Sequence, residues 1–121
     1  MMRMKKLIIS IALIFCMPLA LACNYPAPPK SIPDGATSSK DEMFAGMKML
    51  AAYQENISVY LSCIEADAQK VVKKIAGKKH KRKRKLFIKK YSAKYNDAVE
   101  ARTRTVELFN AEIRAFKVQS K

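Results

Sequence analysis

Residues 39–77 read SKDEMFAGMKMLAAYQENISVYLSCIEADAQKVVKKIAG, and this stretch decides the fold. Apolar residues recur in it at steps of three and four, the spacing of one face of an α-helix. That face comprises Met43, Met47, Leu50, Gln54, Ile57, Leu61, Ile64, Ala68, Val71 and Ile75, and it is widened by Phe44, Ala51, Tyr53, Tyr60 and Val72. Gln54 is the one polar member of the spaced series. The spacing predicts a first helix over residues 40–76.

Both ends of this helix carry recognisable signals. Ser39 and Glu42 have the spacing of a capping box, in which each side chain accepts a hydrogen bond from the other residue's backbone N–H. Asp41 and Glu42 also suit the positive end of the helix dipole. Gly77 is a natural C-terminal stop.

A second helix is predicted over residues 86–118. Its apolar series is Ile88, Tyr91, Tyr95, Val99, Val106, Phe109, Ile113 and Phe116, with Arg102 as an interruption. Neither helix can bury its stripe alone, so we expect an all-α fold with two long antiparallel helices, a helical hairpin with coiled-coil-like packing. A two-helix core is thin, and its stability calls for help from the N-terminal arm, a disulfide or self-association.

Residues 1–22 have the three zones of a secretory signal peptide. A basic start is followed by an apolar stretch over residues 7–17, broken only by Ser10, and then by the small-x-small pattern Ala20-Leu21-Ala22. The apolar part is shorter than the ~20 residues that a membrane-spanning helix needs. We therefore expect cleavage after Ala22 and an exported protein, periplasmic or secreted.

Cys23 leaves one alternative open. Leu19 to Cys23 also resembles a lipobox, which would make the chain a lipoprotein anchored through Cys23. Ala20 stands where a lipobox usually has leucine, which favours the ordinary peptidase. With Cys16 in the leader, Cys23 and Cys63 remain. Two cysteines in an oxidising compartment indicate one disulfide, whereas a lipidated Cys23 would leave Cys63 as a free thiol.

Residues 23–39 form a proline-rich arm that should be extended and should end in a turn at Asp34-Gly35. At ~3.1 Å per residue, an extended arm from Cys23 to the helix start spans about 50 Å. Cys63 lies about 35 Å along the predicted helix. An arm folded back antiparallel to the first helix can therefore reach Cys63, and closing this loop would stabilise the fold by about 3–4 kcal/mol.

The N-terminal half carries a recognisable order of residues. It runs Cys23…Tyr25-Pro26…Ile32-Pro33-Asp34-Gly35-Ala36-Thr37…Asp41-Glu42-Met43…Tyr53…Tyr60-Leu61-Ser62-Cys63. This order resembles a group of small exported proteobacterial proteins of unassigned function, in which a proline-rich arm and an IPDGA-like turn precede a helix with a second cysteine. The resemblance covers residues 23–65 and implies no activity.

Positive charge is concentrated in one part of the chain. The formal net charge is +14, and it becomes +11 once Arg3, Lys5 and Lys6 leave with the signal peptide. Residues 70–94 hold thirteen Lys/Arg and no acid, so residues 40–121 form a basic helical hairpin domain with its excess charge at the tip. The candidate anion-binding residues are Lys78, Lys79, Lys81, Arg82, Lys83, Arg84, Lys85, Lys89 and Lys90.

Such a cluster attracts polyanions. We expect an anionic envelope surface, a phospholipid or lipopolysaccharide, which Leu86-Phe87-Ile88 could enter shallowly while neighbouring lysines hold phosphates. Nucleic acid is an alternative, with Phe87, Tyr91 and Tyr95 stacking on bases, but an exported protein meets little of it. Three alternatives remain: another acidic partner, a flexible solvated loop without a partner, and a structural protein whose helix stripe pairs with a second copy, as a homo-oligomer, or with a different partner.

Catalysis finds no support in the residue pattern. His80 is the single histidine and lies inside the basic run, so a catalytic triad has no base. One histidine and two separated cysteines do not make a zinc site, and three glycines do not make a phosphate-cradling loop. We therefore expect a non-enzymatic protein with no catalytic residue, no metal, no cofactor and no small-molecule substrate.

Overall fold

In a computed structural model, which describes residues 23–121, the chain forms two long helices that pack against each other. Helix α1 spans Lys40–Lys74 and helix α2 spans Lys81–Gln119, with a short 3-10 helix at Lys78–His80 between them. No strand occurs in this part of the chain. The predicted all-α hairpin is thus confirmed, whereas the signal peptide predicted over residues 1–22 lies outside the described residues.

Local signals fix both ends of α1. The Glu42 N–H donates to Ser39 Oγ at 3.2 Å, and the Ser39 N–H donates to Glu42 Oε1 at 3.4 Å, so the predicted capping box is present. The helix ends at Lys74, two residues before the predicted end. Gly77 follows with φ = 103°, a value that residues with a side chain rarely adopt, and this lets the chain reverse direction.

Helix α2 begins five residues earlier than predicted, at Lys81 rather than residue 86. The basic run is therefore a 3-10 turn followed by helix, and not the loop considered above. Lysine and arginine have high helix propensity, and Gly77 already completes the reversal, so residues 81–85 can continue the helix. The apolar series of α2 begins only at Ile88 and gives no signal for the charged turn before it.

The core lies near the middle of the hairpin. Its buried members are Tyr53, Ile57, Tyr60, Leu61, Ile64 and Ala98. Ile57 and Ala98 are fully buried, and the small side chain of Ala98 lets the helices approach closely there. The apolar series of α2 passed over Ala98, because a single alanine gives little periodic signal.

Several positions assigned to the apolar stripes are instead exposed. They are Phe44, Met47 and Ala51 on α1 and Ile88 on α2. Ile88 lies toward the hairpin tip, beyond the buried core cluster. Met47 follows Gly46, which the arm contacts, but the arm does not bury the side chain of Met47. A two-helix hairpin buries a narrower stripe than the sequence offers.

The proline-rich arm packs against both helices rather than along α1 alone. Near its end, a Cβ on Gly46 would lie 2.5 Å from Pro33 Cγ and 3.0 Å from Phe109 Cε2, so Gly46 allows Pro33 and α2 to come close. Near its start, Cys23 packs against the core cluster. The arm thus lies against the groove between the helices and forms a third layer over the hairpin.

Candidate functional site

The basic tip comprises residues 78–90, and it presents most of its cations to solvent. The exposed ones are Lys78, Lys79, Lys81, Arg82, Lys83, Lys85, Lys89 and Lys90. No acidic residue occurs in the first turn of α2, so no carboxylate offsets the positive end of that helix dipole. Like charges this close together create a positive potential, and at physiological salt this potential extends ~8–10 Å before dissolved ions screen it.

Arg84 differs from the other members of the predicted anion-binding set. Its Nη1 donates to the carbonyl oxygen of Ile75 at 3.2 Å and to that of Gly77 at 3.0 Å. These carbonyls belong to the end of α1 and the turn that follows it, where backbone acceptors lack helical partners. Arg84 is half-buried and its Nη1 is engaged by these carbonyls, so it caps α1 in addition to carrying a positive charge.

Two large apolar side chains are exposed among these cations. Leu86 is 54% exposed and Ile88 is 46% exposed, whereas Phe87 between them is half-buried and turned toward the space between the helices. On a helix, Leu86 neighbours Arg82 and Lys89 at positions four before and three after it. The tip therefore combines exposed hydrocarbon with surrounding positive charge.

Tyr91 and Tyr95 lie on the core side of α2. Their ring centroids are 6.1 Å apart with the planes tilted by 54°, and both pack against the core cluster. Burial raises the pKa of Tyr91, and the negative charge of Glu65 and proximity of Tyr95 raise it further. Both rings are thus engaged in the fold, which disfavours the base-stacking role considered for them.

The two cysteines meet as the arm-length estimate predicts. The Cα atoms of Cys23 and Cys63 are 5.7 Å apart and their sulfur atoms are at bonding distance. The Asp67 carboxylate lies 3.3 Å from Cys23 Sγ, so three groups capable of binding a metal are adjacent. A cysteine pair joined as a disulfide offers no thiolate, however, and a carboxylate alone does not make a metal site.

Tyr25 joins the start of the arm to both helices. Its ring packs edge-on against Tyr60, with centroids 5.2 Å apart, and its hydroxyl donates to Asp97 Oδ2 at 3.4 Å. Partial burial raises the pKa of Tyr25, and the Asp97 carboxylate raises it further because it accepts from the neutral phenol and repels the phenolate.

The turn at the other end of the arm is held by α2. The Gly35 N–H donates to Glu112 Oε2 at 2.6 Å, and Gln119 Nε2 donates to the carbonyl oxygens of Gly35 at 2.7 Å and Ser38 at 2.8 Å. Sequence reasoning located this turn but missed Glu112 and Gln119. Both sit on the polar side of the α2 pattern, and a polar residue gives no periodic signal of its partner.

Within residues 23–121, neither helix carries an apolar stretch long enough to cross a membrane. Comparison with known proteins found no family, no curated protein and no solved structure that matches this chain. The chemistry of the tip and of the surfaces beside it is therefore the basis for a function.

Proposed function

We propose that this chain is an exported, non-enzymatic protein whose basic tip docks on an anionic surface of the cell envelope. The observation that carries the proposal is the exposure of Leu86 and Ile88 within a field of exposed lysines and arginines. Phosphate-bearing lipid surfaces match this combination, because the cations bind phosphates while the apolar side chains enter the interface.

The uneven distribution of charge along the hairpin supports this assignment. Thirteen cations and no acid lie between residues 70 and 94, while residues 23–69 carry a net charge of −3. A molecule with this asymmetry approaches a negative surface tip first. Each lysine or arginine near such a surface contributes about 1 kcal/mol to binding.

The position of the cysteines supports the exported state. A disulfide between Cys23 and Cys63 persists in an oxidising compartment and not in a reducing cytosol. A Cys23 sulfur that is bonded to Cys63 cannot also carry the thioether of a lipoprotein. The geometry therefore favours cleavage by the ordinary signal peptidase over lipidation.

Vesicle binding tests the docking proposal. The protein recovered from cells that express the full chain is mixed with vesicles of phosphatidylglycerol and phosphatidylcholine, and the bound fraction is measured by sedimentation. The tip variant carries Lys81→Gln, Arg82→Gln, Lys83→Gln and Lys85→Gln, and it retains Arg84 because that residue caps α1. Glutamine keeps a helix propensity close to that of lysine. We expect the tip variant to bind about 1,000-fold more weakly, because four cations at about 1 kcal/mol each are lost.

A charge-matched control separates the tip from net charge. It carries Lys40→Gln, Lys48→Gln, Lys117→Gln and Lys121→Gln, all exposed positions outside the tip. This variant also loses four positive charges, but none from the tip, so it should bind vesicles nearly as well as the unmodified protein. Equal losses in both variants, or binding that persists when salt shortens the screening length from about 10 Å to about 3 Å, would overturn the proposal.

Heparin and a DNA duplex serve as competing polyanions in the same assay. Tighter, salt-dependent binding to DNA than to vesicles would favour nucleic acid as the partner of the tip.

Intact mass of the recovered protein tests the exported state independently. We expect the mass of a chain that starts at Cys23 less two hydrogens, whereas an added lipid or a retained Met1 would contradict it.

Self-association is a second candidate function, favoured by an apolar groove of about 170 Å³ at the opposite end of the hairpin. Lys40, Met43, Phe44, Met47, Ile113 and Phe116 line it. Phe44 and Met47 remain 51% and 47% exposed beside this groove. Sedimentation equilibrium tests it: a dimer should dissociate in Phe44→Gln/Met47→Gln and persist in the tip variant.

A further inference from the structure

An open cleft of about 420 Å³ continues the space between the helices beyond the point where the arm begins. Between Pro29 and Pro33 the arm fills the contact with both helices, and no room for even a water molecule remains there. From Cys23 toward the tip, no side chain of residues 23–121 fills the space between the helices. A volume of this size is typical of small-molecule sites.

The walls of the cleft are mainly apolar. Helix α1 contributes Ile64, Ala68 and Val71, and helix α2 contributes Phe87 and Tyr91. These side chains are buried or half-buried and present carbon to the cleft. Filling the cleft with hydrocarbon would remove this apolar surface from water, which is favourable.

The charged groups at the cleft favour an anion. Lys90 and Lys94 of α2 are exposed and line it, and Asp67 is the one acidic residue among the lining residues of the described chain. Two ammonium groups against one carboxylate leave a net positive charge. An anionic headgroup bound by the lysines would therefore be electrostatically matched.

The lining also disfavours a peptide as the occupant. Where the arm packs, polar side chains such as Asp97, Glu112 and Gln119 satisfy its hydroxyl and backbone groups. Apart from Asp67, Lys90 and Lys94, only Tyr60 and Tyr91 carry a polar side-chain group among the described lining residues of the open cleft. A buried peptide backbone would leave polar groups without partners, at a cost that a hydrocarbon chain does not have.

From these contacts we infer that the cleft binds an unbranched fatty acid, with its tail between Val71 and Phe87 and its carboxylate at Lys90 and Lys94. The inference does not require the tip to dock on a membrane. It assigns a ligand to the space between the helices, whereas docking uses the exposed cations of the tip, and Lys90 is the residue common to both surfaces.

Calorimetric titration with dodecanoate, below the concentration at which it forms micelles, tests this inference. The protein recovered from expression of the full chain should bind one dodecanoate. A cationic amphiphile with the same tail, dodecyltrimethylammonium, should bind at least about tenfold more weakly. Equal affinity for both amphiphiles would overturn the inference.

Variants separate the headgroup site from the tail site. Lys90→Gln/Lys94→Gln should weaken dodecanoate binding about tenfold, whereas Lys70→Gln/Lys73→Gln, two exposed lysines outside the cleft lining, should leave it unchanged. Asp67→Asn should tighten binding, because it removes the carboxylate that repels the ligand. Val71→Trp should abolish binding by filling the cleft. The opposite order of the lysine pairs would contradict the assignment.

Chemical-shift mapping on the unmodified protein keeps the test independent of how any variant folds. Dodecanoate should shift the resonances of Ile64, Val71 and Phe87 and leave those of Phe44 and Met47 unchanged. Shifts confined to the groove at Phe44 would place the ligand elsewhere and overturn the inference. Because the tip variant keeps the cleft, it should lose vesicle binding and keep dodecanoate binding, so the two proposals can fail separately.

Discussion

The Gly35 backbone N–H donates to the Glu112 carboxylate at 2.6 Å, which joins residues 77 positions apart in the chain. Gly35 is buried and lies directly against the backbone of α2 at Glu112 and Phe116. The contact ties the turn before α1 to the last part of α2, so it closes the end of the hairpin that is opposite the basic tip.

A side chain at Gly35 should break this closure. Its Cβ would collide with the backbone carbonyl of Glu112, which cannot move as a flexible side chain can. We expect Gly35→Ala to lower the free energy of unfolding by about 3 kcal/mol, at the upper end of the cost of overpacking. Urea denaturation followed by circular dichroism measures this. Glu107→Ala, at an exposed position on the same helix, serves as the control and should change stability little.

Removal of the cysteine pair should destabilise the fold through the unfolded state. The cysteines are 40 residues apart, and the chain-entropy relation gives about 4 kcal/mol for a loop of that length. We expect Cys23→Ser, Cys63→Ser and the double variant to lose nearly the same amount. The unmodified protein with added dithiothreitol should match them in urea denaturation. A double variant much less stable than either single one would show that the cysteines act separately.

Arg84 should contribute to the stability of the fold. Its two hydrogen bonds to the carbonyls of Ile75 and Gly77 predict that Arg84→Gln lowers the free energy of unfolding by about 1 kcal/mol. Lys83→Gln, one position away and exposed, should stay within about 0.5 kcal/mol of the unmodified protein. Urea denaturation compares the two variants. Equal free energies of unfolding for the two variants would argue against the capping role of Arg84.

Tyr25 should ionise at a pH above the ordinary tyrosine value of about 10. Because its pKa is raised in the folded state, its contribution to stability is present below pH 10 and is lost as the pH rises through the folded-state pKa. Tyrosinate absorbance of the unmodified protein minus that of Tyr25→Phe gives the titration. Asp97→Asn should lower the pKa of Tyr25 only in part, since burial is the larger cause. No change in Asp97→Asn would argue against the hydrogen bond.

The helices were predictable because their signals are local. The capping box at Ser39 and Glu42 and the apolar spacing of α1 depend on residues within one or two turns of each other. The proximity of Cys23 to Cys63 was predictable for a different reason, since chain length and helix rise alone allow the contact. The start of α2 was not, because residues 81–85 carry charge but no apolar period.

The pairing of distant polar residues could not be read from the sequence. Glu112 and Gln119 hold the arm, and Arg84 caps α1, yet each occurs in a pattern that equally fits a solvated helix face. The exposure of Phe44, Met47 and Ile88 could not be predicted either, because apolar periodicity does not show how much of a helix face the neighbouring helix buries.

By itself, the sequence determined two helices, the boundaries of the first to within two residues, the direction of the arm and the location of the charge. Each of these follows from interactions between near neighbours or from the length of the chain. The tertiary structure alone decided which apolar and charged side chains stay free and where the interior remains open. Those properties depend on the distance between surfaces that meet only when the chain has folded, and no local pattern contains that distance.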